Sequence, residues 1–135
     1  MATPVLFENA ALLDLALGER RSGTSVLVEG DRILEVSEGS LRAPGARRID
    51  VGGRTLMPGL IDAHVHVGSD VSGEDARARA DRRLCRALLG GITAARDMAG
   101  DTRAIASMKR DARVGDIASP DLYFAALWAG PAFFS

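Results

Sequence analysis

The sequence predicts an α/β chain in two parts, a small antiparallel, sandwich-like β lobe followed by parallel βαβ units. Three observations carry this. From Val5 to about Thr55, short β-type runs sit between turn signals. From Leu60 onward, strand and helix patterns alternate. A composition of 47% hydrophobic and 26% charged residues over 135 positions suits a folded chain rather than a disordered one.

The elements follow in order. "VLFENAALLDL" reads as the first strand region. "TSVLVEGDRILEVSE" reads as a hairpin, because Gly30-Asp31 can take positive φ between two alternating runs. "GSLRAPGA" is a loop, and Gly52-Gly53 predicts a second turn of similar kind inside "RRIDVGGRTLM". "LIDAHVHV" then reads as a strand and "SGEDARARADRRLCRALLGG" as a helix. Ser72 is the expected N-cap with Asp75 three residues later, and Ala76, Ala80, Leu84 and Leu88 recur at helical spacing. Gly90 or Gly91 ends the helix in the left-handed region. "ITAARDM" is the second strand of this part. Asp101 or Thr102 starts a helix through "RAIASMKRDARV" that stops at Gly115, and "DLYFAALWAG" is the third strand.

Charge and cysteine usage exclude several roles. With 17 basic against 18 acidic residues and no long block of one sign, no nucleic-acid groove or anionic membrane is expected as a partner. The lone Cys85 cannot form an internal disulfide and reads as a small buried residue between Leu84 and Arg86. The start "MATPVLFENA" lacks the basic region and apolar core of a signal peptide, and "AALLDLALG" is short and broken by Asp14. The expected location is the cytoplasm, without a membrane span. The arginines of "DARARADRRLCR" read as a solvated helix face.

Both histidines of the chain, His64 and His66, lie one residue apart in "GLIDAHVHVG". Strand alternation places Leu60, Asp62, His64 and His66 on one face, and Ile61, Ala63, Val65 and Val67 on a face that helices should cover. Two imidazoles about 6.6 Å apart along a strand can converge on one ion, and neutral imidazole is a common metal ligand. His-x-His alone leaves two explanations open, a metal pair or two histidines on a solvent face.

"TLMPGLIDAHVHVG" resembles the first barrel strand of the amidohydrolase superfamily. "LLGGITAARDMAG" resembles the second barrel strand of its imidazolonepropionase-like and prolidase-like branch. The small β lobe, Pro58-Gly59, Leu60-Ile61-Asp62 and the histidines occur in the matching order. The resemblance implies a metal-dependent hydrolase built on a TIM (β/α)8 barrel with an N-terminal β-sandwich lobe. Residues 1–57 would be part of that lobe and residues 58–135 the first three or so βα units of the barrel. It implies that His64 and His66 are metal ligands at the barrel mouth, with zinc as the expected divalent ion. Asp62 and Asp97 are the further candidates, as pocket residues or supports for the ligands. For Arg96 and Asp97 the simpler expectation is an ion pair on the barrel rim.

The implied reaction is hydrolysis of a C–N bond in a small amide-like substrate by metal-activated water. The remaining ligands, a carboxylated lysine or a glutamate plus two histidines, and a late aspartate belong to later strands. No catalytic residue is therefore expected within these 135 positions, which hold far fewer than the roughly 250 residues of a full barrel. The favoured expectation is the N-terminal part of the enzyme; the alternative is an inactive remnant acting as a binding module. Unpaired strand edges predict self-association, including homo-oligomers. Val67 and Gly68 follow the histidines where a dihydroorotase-like enzyme would place an arginine, so a cyclic amide, an imidazolone-like ring or a dipeptide is the better-matched substrate class.

Overall fold

In the computed structural model, residues 3–69, 73 and 75–125 are described. The chain divides into two compact units, Met1–Pro58 and Gly59–Ser135.

The first unit is a single mixed sheet. Its strands are β1 (Val5–Asp14), β2 (Glu19–Glu29), β3 (Arg32–Glu38), β4 (Arg47–Asp50) and β5 (Thr55–Leu56). The order is β3-β2-β1-β4, with β5 also on β1. The β2–β3 hairpin forms as expected, with Glu29 opposite Arg32, but only Gly30 of its turn has positive φ, at 58°. This places the glycine at the first central position, as in type II′ turns.

The expectation of a purely antiparallel lobe is corrected here. β4 and β5 both run parallel to β1, within the same sheet as the antiparallel β1–β2–β3 strands. Residues 39–46 can span up to about 27 Å, whereas β3 and β4 lie only three strand spacings apart, about 14 Å. That loop therefore carries the chain past β2 and β1 to the far edge. Gly52 and Gly53 do take positive φ, at 61° and 74°. Their turn passes the chain from β4 to β5 along β1 instead of closing a hairpin.

Alternation along β1 breaks at Asn9, whose φ of 54° accompanies slips in the β1–β2 ladder. Consecutive Ala10 and Ala11 are consequently both buried, alongside Leu6 and Val26. The buried hydroxyls are satisfied by backbone, Thr24 donating to Arg21 and Ser25 to Gly39.

The second unit alternates strand and helix: β6 (Leu60–Val65), α1 (Ala76–Leu89), β7 (Ile92–Asp97), α2 (Thr102–Val114) and β8 (Asp121–Phe124). The strands are parallel in the order β6-β7-β8. The apolar stripe of α1 and the inner face of α2 meet the sheet in a core of Ala80, Leu84, Ala95, Met108 and Leu122. Val65, Val67, Ile92, Ala104 and Ile117 pack against that core.

The α2 ends are as predicted. Asp101 caps the helix by accepting the Arg103 and Ala104 amides, and Gly115 ends it at φ 84°. The start of α1 differs, because Asp75 occupies the N-cap without a side-chain hydrogen bond; Ser72 lies outside the described residues. Gly91, at φ 90°, supplies the left-handed residue after α1.

Leu88 is exposed, so the buried stripe of α1 ends one turn earlier than expected, at Leu84. Arg77 clamps the two helices, reaching Asp81 at 2.8 Å and Asp111 at 2.5 Å. The Asp111 hydrogen bond, followed by that of Asp81, raises the arginine pKa above its ordinary value. Cys85 is half-buried rather than buried. The third strand ends at Phe124; the rest of "DLYFAALWAG" from residue 126 lies outside the described residues. No described helix is long and apolar enough to cross a membrane.

Candidate metal centre

β6 brings the two histidines together at its C-terminal end. Val65 packs into the core, so its neighbours His64 and His66 project from the opposite face. Their Nε2 atoms are 3.0 Å apart and their rings stack with centroids 5.1 Å apart. The separation of 3.0 Å is shorter than the sum of two Zn–N bonds, about 4 Å, so both nitrogens can reach one ion. Both imidazoles are exposed. The donor set therefore fits a divalent metal with an affinity for imidazole. Among the described residues no third histidine, cysteine, aspartate or glutamate joins them.

The strict alternation expected along β6 does not hold. The ladder slips between Asp62 and Val65, which pair with Ala95 and Asp97, so three steps on β6 match two on β7. Asp62 is thereby level with buried Ala95 instead of continuing the histidine face. It lines a cavity of about 380 Å³ with His66, Arg83, Leu84 and Ala87, and its Oδ1 accepts the His64 amide at 3.2 Å. Ile61 and Ala63, expected under helices, are exposed, Ile61 by 75%.

Asp97 is 1% exposed. Its Oδ2 accepts the Gly68 amide at 2.9 Å and its Oδ1 the Ala99 amide at 3.0 Å. The expected Arg96–Asp97 ion pair is absent among the described residues. Alternation sends Asp97 inward and Arg96 outward, where Arg96 Nε donates to the Ala63 carbonyl at 3.1 Å. Asp97 thus ties the segment after the histidines to the segment after β7. Ser69 Oγ donates to the Ala99 carbonyl at 2.6 Å and the Asp101 amide to the Gly68 carbonyl at 3.2 Å.

The backbones meet closely at this seam. A Cβ on Gly100 would lie 2.7 Å from the Gly68 carbonyl carbon, a distance only glycine permits. The sequence marks His64, His66 and Asp97, but the Gly68–Gly100 seam and the outward aim of Arg96 are readings it did not yield. Burial of Asp97 within "RDMAG" is the signal from which both follow.

Comparisons with known proteins agree with one another. The model of the amidohydrolase family matches residues 55–132. A deacetylase of Agrobacterium fabrum is 31% identical over 86 residues, covering 61% of this chain and 21% of the relative. An adenine deaminase of Escherichia coli is 39% identical over 66 residues, covering 49% and 11%. A prolidase solved with N-methylphosphonate-L-proline superposes with a TM-score of 0.82 at 30% identity, covering 92% of this chain and 32% of that one. An amidohydrolase structure superposes with a TM-score of 0.81 at 32% identity, covering 93% and 32%. The chain thus spans about a third of those structures and a smaller share of the two curated relatives.

Proposed function

The chain belongs to the amidohydrolase family, and from that premise we propose that it is the N-terminal part of a metal-dependent enzyme that hydrolyses C–N bonds in small molecules. The observation that carries the reading is the pair of exposed Nε2 atoms 3.0 Å apart at the end of a parallel strand. In this proposal residues 1–57 contribute to a β-sandwich lobe, and residues 58–135 open a (β/α)8 barrel whose mouth carries the site.

His64 and His66 hold the ion, with zinc the expected metal for two imidazole donors. When bound, such an ion polarises a substrate carbonyl and lowers the pKa of water. This chain's own residues orient and fasten the pair. Asp62 accepts the His64 amide and restrains the bulged backbone between the strand partners. Asp97 fastens the segment two residues beyond His66. Such supports keep ligands within the narrow tolerance a metal site requires. Further ligands and the general base belong to later strands in this reading. A dipeptide or cyclic amide is the substrate class favoured here; the dipeptide part is supported by the 30% identical prolidase, which was solved with N-methylphosphonate-L-proline.

Substituting His64 or His66 by alanine in the full-length protein tests the proposal. Zinc content by elemental analysis and turnover of a dipeptide and lactam panel should fall together. Unchanged metal occupancy and activity in the double variant would refute it.

A further inference from the structure

We propose that Arg96 binds a carboxylate of the substrate, making the enzyme selective for amides of carboxylic-acid-bearing groups such as N-acyl amino acids or dipeptides. This rests on the hydrolase reading above. On β7, Ala95 and Asp97 are buried on the helix-covered face, so Arg96 between them projects from the opposite face. His64 and His66 project from that same face of the sheet, because Val65 between them packs into the core. On β8, Leu122 is buried, which puts Tyr123 on the histidine face as well.

The ladder sets Arg96 level with Tyr123, and Asp97 level with Val65. Neighbouring strands are about 4.8 Å apart. Two imidazoles, a guanidinium and a phenol therefore gather at one end of the sheet.

The hydrogen bond of Arg96 fixes where its charge lies. Nε donates to the Ala63 carbonyl, on the residue immediately before His64. That carbonyl belongs to the bulged stretch where the ladder slips, which frees it to accept. With Nε committed, the terminal nitrogens make no other bond to the described residues. A pinned guanidinium presenting its two outer nitrogens matches the fork of a carboxylate. The carboxylate on the same face of β8, Asp121, is two residues back toward the strand start, about 6.6 Å further from the histidine end.

The test is calorimetric titration of the zinc-loaded full-length protein with N-acetylglycine and with its neutral counterpart N-acetylglycinamide. The wild type should prefer the carboxylate. Arg96→Gln should reduce that preference roughly tenfold or more, as expected for a lost charge-assisted hydrogen bond. Arg96→Lys, which keeps the charge and loses the fork, should recover part of it. Arg82→Gln, on the exposed face of α1, should leave the preference as it was. A wild type with no carboxylate preference, an Arg96→Gln variant that retains it, or an equal loss for both probes overturns the proposal. Metal-dependent hydrolysis of a dipeptide and lactam panel is measured in parallel. Its absence would defeat the hydrolase reading, whereas the binding comparison alone decides the role of Arg96.

Discussion

Replacing Asp97 by alanine should unfasten the loops that position the histidine pair. The side chain is 1% exposed and accepts two backbone amides, Gly68 at 2.9 Å and Ala99 at 3.0 Å. A hydrogen bond to a charged group contributes roughly 1.5 to 3 kcal/mol, and a buried donor left without a partner costs a similar amount. Local opening at each amide should therefore become about 10- to 150-fold more frequent. Native-state hydrogen exchange, read on peptides spanning residues 66–69 and 98–101, measures this directly. Asp97→Asn keeps one acceptor oxygen but turns an NH2 group toward the other amide, so its effect should be intermediate. If the pair binds zinc as proposed, the affinity should also fall about 10- to 100-fold, the range for outer supports of metal ligands, because Gly68 stands two residues after His66. Unchanged exchange at Gly68 and Ala99 together with wild-type zinc affinity would refute the fastening role.

Three other outcomes are expected. Asp101→Ala removes the side chain that accepts the Arg103 and Ala104 amides and should destabilise α2 by about 1 kcal/mol, measured as a shifted denaturant midpoint; an unchanged midpoint would contradict the cap. The Glu8 carboxyl is held below its ordinary 4.5 by its hydrogen bond with Arg48. The stability this pairing adds should be present above that value and disappear as pH falls through the lowered one, so a Glu8→Gln variant should differ from wild type at pH 7 and converge with it at low pH. Finally, β6 and β8 each pair only with β7 among the described residues, and Ile61 and Leu89 are exposed by 75% and 83%. The 135-residue chain expressed alone should associate in sedimentation experiments and hydrolyse no amide; an active monomer would show it to be self-sufficient.

The order of strands and helices in the second unit is legible from residue periodicity, because the periods of 2 and 3.6 are local properties. Asp101 and Gly115 declare the ends of α2, for capping needs only neighbouring backbone atoms. The histidine pair was legible too, as both of its members sit in one short motif. Which way the remaining side chains face depends on long-range pairing that local patterns do not encode. The bulge between Asp62 and Val65 depends on pairing with β7 and moves Asp62 out of the alternation. The same kind of slip at Asn9 buries Ala10 and Ala11 together. The parallel placement of β4 and β5 on β1 likewise followed from loop reach and partner choice, which a turn such as Gly52-Gly53 does not encode. Burial of Asp97 was decided by two amides, one on the neighbouring loop 29 residues earlier in the chain, and it is this distant satisfaction of a buried carboxylate that turns Arg96 toward the histidines.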